Sequence, residues 1–174
     1  MEGFYEHIVK KTKTAKEGVY TAGIILVALL IIFFVAPLIG ALLKFSFAGT
    51  LIQVLTIYGV YYLVTMMNIE YEYALTGSEL DVDCITAKRK RKRLVSVDCK
   101  KFEILAPVNE GDYLEDYKTY NVLNYAGNKM SQNCYFAAYE QNGVQTCLMF
   151  EPTEAMLRGI KKYIHDKVII DESI

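Results

Sequence analysis

Two long stretches without a charged side chain dominate the pattern of apolar and polar positions. The first covers the 26 residues between Glu17 and Lys44, and the second covers the 25 residues between Lys44 and Glu70. Each is longer than the ~20 residues that a helix needs to cross the hydrocarbon core of a bilayer. We therefore expect a transmembrane hairpin over residues 19–69, with spans at about 19–43 and 46–69 joined by a tight turn.

Two other interpretations of these stretches are disfavoured. The apolar part of a signal sequence is only about 7–15 residues long. Two core helices of a soluble protein, apolar on all faces, would need more chain to cover them than the rest of the sequence offers. The polar residues of the hairpin carry no charge, so we expect interhelical hydrogen bonds, within the hairpin or to another subunit, rather than a transport pathway: Gln53, Thr56, Thr65 and Asn68. No GxxxG spacing is present among the glycines of the hairpin.

Lysines are unevenly distributed around the hairpin. Only Lys44 lies in the connecting turn, whereas four precede the first span: Lys10, Lys11, Lys13 and Lys16. Basic residues favour the cytoplasmic side, so we expect both chain ends to be cytoplasmic and the protein to lie in the cell membrane. Residues 1–18 are then a cytoplasmic Lys-rich tail. It is either a short segment lying on the anionic inner leaflet or a disordered tail.

After Glu70 the pattern changes to short alternating segments. Alternation predicts strands over 71–75, 80–84 and 93–99, with residues 102 and 104 continuing the third strand after a register shift. A short strand follows at 122–126, and Asn142-Gly143 predicts a two-residue hairpin turn. Residues 151–154 then begin an amphipathic helix of about 13–15 residues that ends near His165-Asp166. The fold class is α+β: a helical hairpin, then antiparallel strands capped by one C-terminal helix.

Three stretches carry a resemblance to a known family: YEYALT at 71–76, KFEILAP at 101–107 and LMFEPTE at 148–154. With the preceding hairpin, they resemble the bacterial membrane-anchored PH-like proteins, small two-span membrane proteins of unknown function. The resemblance implies an antiparallel PH-like β-barrel or sandwich over residues 70–174 and a bacterial cell membrane. It implies no catalytic residues.

Composition and motifs exclude several kinds of chemistry. A net charge of −1, from 19 basic and 20 acidic residues, disfavours a nucleic-acid partner. His7 and His165 lie at opposite ends of the sequence, and no nucleotide-binding glycine motif is present. The four cysteines form no CxxC pair: Cys84, Cys99, Cys134 and Cys147. We therefore expect a non-enzymatic protein with no catalytic residue, cofactor or metal.

One feature points to a binding surface. Six consecutive basic residues lie between two predicted strands, at the tip of an early hairpin: Lys88, Arg89, Lys90, Arg91, Lys92 and Arg93. They either dock on anionic lipid head groups or an acidic protein partner, or form a solvated hairpin that protects a strand edge. The acidic loop at 109–116, with Glu110, Asp112, Glu115 and Asp116, is a competing internal partner.

These observations give three hypotheses for the function. The first is a multi-pass membrane protein that presents a PH-like module to the lipid bilayer, anionic head groups or a membrane protein partner. The second is a structural or regulatory subunit of a larger membrane complex, bound through the hairpin. The third, an enzyme or transporter, is disfavoured by the absence of intramembrane ionisable residues and of catalytic motifs.

Overall fold

Both charge-free stretches form helices. The computed structural model describes residues 3–109, 114–128, 131–164 and 169 of the 174-residue chain. The first helix runs through α1 (Ala15–Leu30), a π-helical turn (Ile31–Val35) and α2 (Ala36–Leu42), and the second is α3 (Ser46–Met66). Their most apolar 18-residue windows have mean hydropathies of 3.1 and 1.6. By length and composition, both are long enough and apolar enough to cross a membrane.

The π-helical turn explains the position of Gln53. In this turn Ala36 N–H bonds to Ile31 O, and Pro37, the next residue, has no N–H to offer the Ile32 carbonyl. The Gln53 side chain donates to that carbonyl from α3 at 3.1 Å. The expected interhelical hydrogen bond is therefore confirmed for Gln53, and its acceptor is a carbonyl that its own helix leaves unpaired. For Thr56 the expectation is wrong, because its hydroxyl donates to Ile52 O within α3 at 2.8 Å.

Small residues bring the two helices together. A Cβ atom added to Gly49 would lie 2.7 Å from Ala36 O and 3.7 Å from Gly40 Cα, and Ala36 is fully buried. Ala36 and Gly40 are four residues apart, which is the small-xxx-small spacing of close helix packing. The search for GxxxG missed this contact because one of the two small residues is alanine.

A second unit contains the eight strands found among the described residues. It comprises Met1–Thr12 and Ile69–Ile174, and the helical hairpin, Lys13–Asn68, is inserted between these two segments. One sheet has the order β1-β2-β3-β4 and is antiparallel throughout. The other has the order β5-β7-β8-β6, in which β6 runs parallel to β8. The strands are β1 Phe4–Lys10, β2 Ile69–Thr76, β3 Glu79–Thr86, β4 Lys90–Asp98, β5 Phe102–Pro107, β6 Asn121–Asn124, β7 Tyr135–Gln141 and β8 Val144–Phe150.

The first strand corrects the prediction for residues 1–18. Phe4–Lys10 is neither an interfacial segment nor a disordered tail, because it pairs antiparallel with β2 along its whole length. Its half-buried residues Tyr5 and Val9 pack against the core. The interpretation failed because the partner strand lies beyond the hairpin, and no local pattern shows such a pairing. The first helix also begins earlier than residue 19, at Ala15, after a Thr14 N-cap that is completed by Glu17.

The two sheets form a sandwich rather than the closed barrel that was the other expectation. Their facing side chains form the main core, which includes Tyr73, Leu80, Leu105 and Phe150, all fully buried. A second core covers the opposite face of the β5-β7-β8-β6 sheet and contains Phe136, Cys134 and Met149. Burial on both faces explains why β7 reads as a continuous apolar run.

Several local predictions are confirmed and two are corrected. Asn142 and Gly143 have φ angles of 55° and 76° and join β7 to β8 as a two-residue turn. Residues 99–101 form a 3₁₀ turn, after which β5 enters the other sheet instead of continuing β4. The last helix, α4 (Glu154–Lys161), begins after the Thr153 cap but has only 8 residues. The expected end at His165-Asp166 lies outside the described residues.

Candidate functional site

The six consecutive basic residues do not all lie at a hairpin tip. The turn between β3 and β4 contains Lys88 and Arg89, with φ angles of 55° at both Ala87 and Lys88. β4 begins at Lys90, so the other four basic residues belong to the strand itself. The prediction of a hairpin position is therefore correct for only two of the six.

The strand divides its four basic residues between two faces. Arg91 and Arg93 alternate with Lys90 and Lys92, and Arg93 lies opposite Asp83 on β3. Successive residues of a strand point to opposite faces, so residues two apart share a face. The two arginines therefore share the outer face of the sheet with Asp83, and the two lysines point the other way.

A bulge makes this arrangement possible. Val82 pairs with Val95, whereas the next residue, Asp83, pairs with Arg93, so Leu94 is the extra residue. Without this shift, strict alternation would place Arg93 on the same face as Val95, towards the core.

Buried carboxylates on β2 and β3 bind both arginines. Arg91 is paired with Glu72, and its Nε donates to Asp83 Oδ2 at 2.8 Å. Arg93 Nε donates to Asp83 Oδ1 at 3.0 Å, and its Nη1 lies 2.9 Å from Asp81 Oδ2. Glu72 and Asp83 are each only 4% exposed. We call these five residues the carboxylate–arginine network.

The two buried carboxylates have pKa values shifted in opposite directions. Burial favours the protonated form of Asp83, but hydrogen bonds from Arg93 and Arg91 outweigh it and hold the pKa of Asp83 below its ordinary value. Burial and a hydrogen bond with Glu6 raise the pKa of Glu72, and the charge of Arg91 only partly offsets them. Asp83 therefore stays ionised at neutral pH, between the two arginines that donate to it.

Among the described residues, the partners of the two arginines lie on β2 and β3 and not in the acidic loop that the sequence suggested. Glu115 pairs with Lys118, and Asn109 donates to Ser131 O at 2.8 Å. Glu110 and Asp112 lie outside the described residues. In the sequence, the alternation of Glu72, Asp81 and Asp83 with apolar residues indicates that these carboxylates share one face of the sheet. Which basic residues pair with them depends on the strand register, which the sequence does not show.

Four basic residues remain after this pairing. Lys88, Arg89, Lys90 and Lys92 are exposed, and none forms an ion pair with a carboxylate of the described residues. They are concentrated at one end of the β3-β4 hairpin. We call these four residues the basic hairpin end, and it is the part of the predicted site that is available to a partner.

The cysteines belong to the interior. Cys99 and Cys147 are fully buried, and burial raises the pKa of their thiols to about 12 and about 11. Such thiols are poor nucleophiles and poor metal ligands at neutral pH. Within the described part of the chain, no three His, Cys, Asp or Glu residues are grouped to hold a metal ion. His165 lies outside that part.

The described part of the chain has an α+β fold, with two apolar helices, a two-sheet sandwich and the helix α4 after the last strand. The chain belongs to the family described as bacterial PH-like domain (DUF6106), whose model matches residues 1–170. The match includes β1 and both apolar helices as well as the sandwich. This confirms the resemblance seen in the sequence and the PH-like assignment of the fold. No curated protein and no solved structure matches the chain significantly.

Proposed function

We propose that the chain is a non-enzymatic, multi-pass membrane protein whose PH-like domain binds anionic lipid head groups through its basic hairpin end. The single observation that carries the proposal is the division of the six cations. Two are neutralised by the carboxylate–arginine network, and the four that remain are exposed and concentrated at one end of a hairpin.

The position of the hairpin in the chain supports a membrane location. β1 precedes the helices and β2 follows them, and the two strands pair. Both connections to the hairpin therefore enter one folded unit, which is consistent with two spans that leave and return on the same side of a bilayer. The lysine-rich flank before the first helix favours the cytoplasmic side. The leaflet that faces this side carries the anionic lipids.

The energy available to this surface is large enough for docking. Each basic residue close to an anionic leaflet contributes about 1 kcal/mol. Four such residues contribute at most about 4 kcal/mol, or roughly a thousandfold in partitioning. The attraction decreases with ionic strength, because salt screens exposed charges.

The test uses the strand-containing unit without the helices. A fragment that starts at residue 70 would lack β1, so the helices are instead replaced by a short turn. Lys11 N donates to Ile69 O at 3.0 Å, so an Asn-Gly linker between these two residues closes β1 and β2 into an ordinary hairpin. We refer to this protein as the spliced unit.

Liposome binding of the spliced unit is compared with and without anionic lipid, at low and at physiological ionic strength. The test variant carries glutamine at Lys88, Arg89, Lys90 and Lys92. The matched control carries glutamine at four other exposed lysines: Lys100, Lys101, Lys161 and Lys162. Salt-sensitive binding that only the test variant loses supports the proposal. Equal binding by both variants, or none by the parent, contradicts it and favours a protein partner.

A second candidate function is a subunit of a larger membrane complex that binds through its helices. An apolar groove of about 690 Å³ runs along the hairpin, and its lining includes Gly23, Ala28 and Gly59 among larger apolar residues. Small residues allow a further helix to approach closely. Purification in a mild detergent tests this candidate. Recovery of the chain alone contradicts it, and a partner lost when Gly59 is replaced by Leu supports it.

The proposal includes no catalysis. An enzymatic activity of the full chain that disappears on a single carboxylate substitution would contradict this part of it.

A further inference from the structure

The strand register places the basic hairpin end at one particular end of the first sheet. Ile69, the first residue of β2, lies opposite Thr86 on β3, and Thr86 lies opposite Lys90 on β4. On the other side of β2, Lys11 N donates to Ile69 O. One row of residues therefore runs from the end of β1 to the start of β4. We call this edge of the sheet the proximal end.

The chain leaves the sheet for the helices at the proximal end. β1 ends at Lys10 and α1 begins at Ala15, while α3 ends at Met66 and β2 begins at Ile69. Only residues 67 and 68 separate α3 from β2, and the chain from Met66 to Ile69 extends over no more than about 11 Å. This short connection limits how far the proximal end can move from a bilayer that α3 spans.

The opposite end of the sheet, which we call the distal end, is remote from these connections. It contains the turn at Gly77-Ser78 and the end of β4 at Asp98. β3 runs from the distal to the proximal end and has 8 residues. At about 3.4 Å per residue, the two ends are about 24 Å apart. Exposed charges are largely screened beyond about 8 Å at physiological ionic strength, so an anionic surface at one end has little effect on the other.

Exposed basic residues are present at both ends of the sheet. The proximal end carries the basic hairpin end and the exposed Lys10, which lies opposite the half-buried Glu70. The distal end carries Lys100 and Lys101 in the turn after β4. A domain free in solution can approach a membrane with either group. A domain held by its two helix connections brings only the proximal group to the membrane that its own helices span.

We propose that the basic hairpin end binds the anionic leaflet of the same bilayer that the protein's own helices span, so that the β2-β3 turn points away from the membrane. This inference rests on the proposed function and adds to it which membrane is bound and which end of the sheet faces it. A short covalent connection makes the binding step intramolecular, with an effective concentration of about millimolar. Contacts of about 1 kcal/mol per basic residue are then sufficient.

Tryptophan fluorescence tests which end faces the membrane, because the chain contains no tryptophan. Thr86→Trp places one at the proximal end, and Thr76→Trp, the matched control, places one at the distal end of the same two strands. Each full-length variant is reconstituted in nanodiscs of phosphatidylcholine and phosphatidylglycerol, in which part of the lipid carries a nitroxide quencher on its head group. We expect quenching of Thr86→Trp and full fluorescence from Thr76→Trp. Quenching of Thr86→Trp that is no stronger than that of Thr76→Trp overturns the proposal. If Thr86→Trp does not fold, Arg89→Trp in the exposed turn takes its place.

A second comparison measures the contribution of charge. Thr86→Trp is combined with glutamine at the four residues of the basic hairpin end, or with the four-lysine control of the liposome test. We expect the first combination to lose most of the quenching and the second to keep it. Nanodiscs of phosphatidylcholine alone are expected to give the same loss as the first combination. Equal quenching in all of these samples means that the connections alone hold this end at the membrane, and it overturns the proposal.

A third comparison separates the protein's own membrane from any other. The nitroxide lipid is confined to added anionic liposomes, while the nanodiscs that hold Thr86→Trp contain none. We expect no quenching in this arrangement. Quenching by the added liposomes overturns this inference but leaves the proposed function standing, because the head groups are then bound on another membrane. Failure of the proposed function itself is recognised separately, by the absence of liposome binding in the spliced unit.

Discussion

Replacing Asp83 with Asn tests the carboxylate–arginine network and the function proposed for its surroundings. Asp83 is 4% exposed and accepts from Arg91 Nε and Arg93 Nε at 2.8 and 3.0 Å. The substitution keeps the size of the side chain and one acceptor oxygen but removes the charge. Arg91 and Arg93 retain Glu72 and Asp81 as partners. We therefore expect both a loss of stability and a gain of free positive charge.

The magnitude follows from these contacts. A hydrogen bond to a charged group contributes about 1.5–3 kcal/mol. The two arginine side chains are 54% and 55% exposed, so solvent screens part of this energy. We expect Asp83→Asn to lower the free energy of unfolding by about 2 kcal/mol. In a unit of this size that is a decrease in Tm of roughly 8 °C.

The dependence on pH has a definite sign. The pKa of Asp83 is lowered in the folded state, so its stabilisation is fully present above the unfolded pKa of about 3.9. It is lost as the pH falls through the lower, folded pKa. The difference in stability between the parent and the Asn variant is therefore constant near neutral pH and shrinks below about pH 4.

The assay is urea unfolding of the spliced unit, followed by circular dichroism, with Asp116→Asn as the matched control. Asp116 is exposed, so its substitution removes the same charge without touching the network. A decrease for Asp83→Asn that is no larger than for Asp116→Asn would refute the energetic role of the network. The same two variants are then compared on anionic liposomes, where we expect Asp83→Asn to bind more tightly, by roughly tenfold. Unchanged binding would show that the arginines are not masked by Asp83.

Three further predictions follow from the turns, the helices and the first strand. Gly143→Ala is expected to cost about 1 kcal/mol in urea unfolding, because φ is 76° there, whereas Asn142→Gly is tolerated. Gln53→Leu leaves the Ile32 carbonyl unpaired and is expected to destabilise the helical hairpin by about 1 kcal/mol in detergent unfolding; an effect no larger than that of Thr56→Val would contradict this. The spliced unit is expected to fold cooperatively and a fragment that starts at Ile69 to be markedly less stable; equal stability would mean that β1 is dispensable.

Features set by local chemistry were predictable from the sequence. The turn at Asn142-Gly143 and the start of α4 at Thr153 both depend on residues within a few positions of one another. The predicted amphipathic helix buries Met156, Leu157 and Ile160. Tyr163 lies beyond the last helical residue, Lys161, and is 37% exposed.

Features set by pairing across the chain were not predictable. The outward position of Arg93 depends on a one-residue bulge opposite Asp83, and strict alternation gives the opposite face. Burial alternates along the strand at Phe4–Lys10, but its apolar residues come in pairs, Phe4-Tyr5 and Ile8-Val9, so the sequence shows no period of two. The candidate site therefore consists of four exposed basic residues rather than the six consecutive ones, because the strand register pairs Arg91 and Arg93 with carboxylates of the same sheet.

The insertion of the helices between β1 and β2 has a consequence for the order of assembly. During synthesis β1 leaves the ribosome first, yet its partner strand emerges only after both helices. The edge of β1 therefore stays unpaired while the helices are being made, and its pairing is a late, non-local step of folding. If the helices insert in a bilayer as proposed, insertion precedes the pairing of β1 with β2, and the first sheet is completed only after the chain has returned to its starting side.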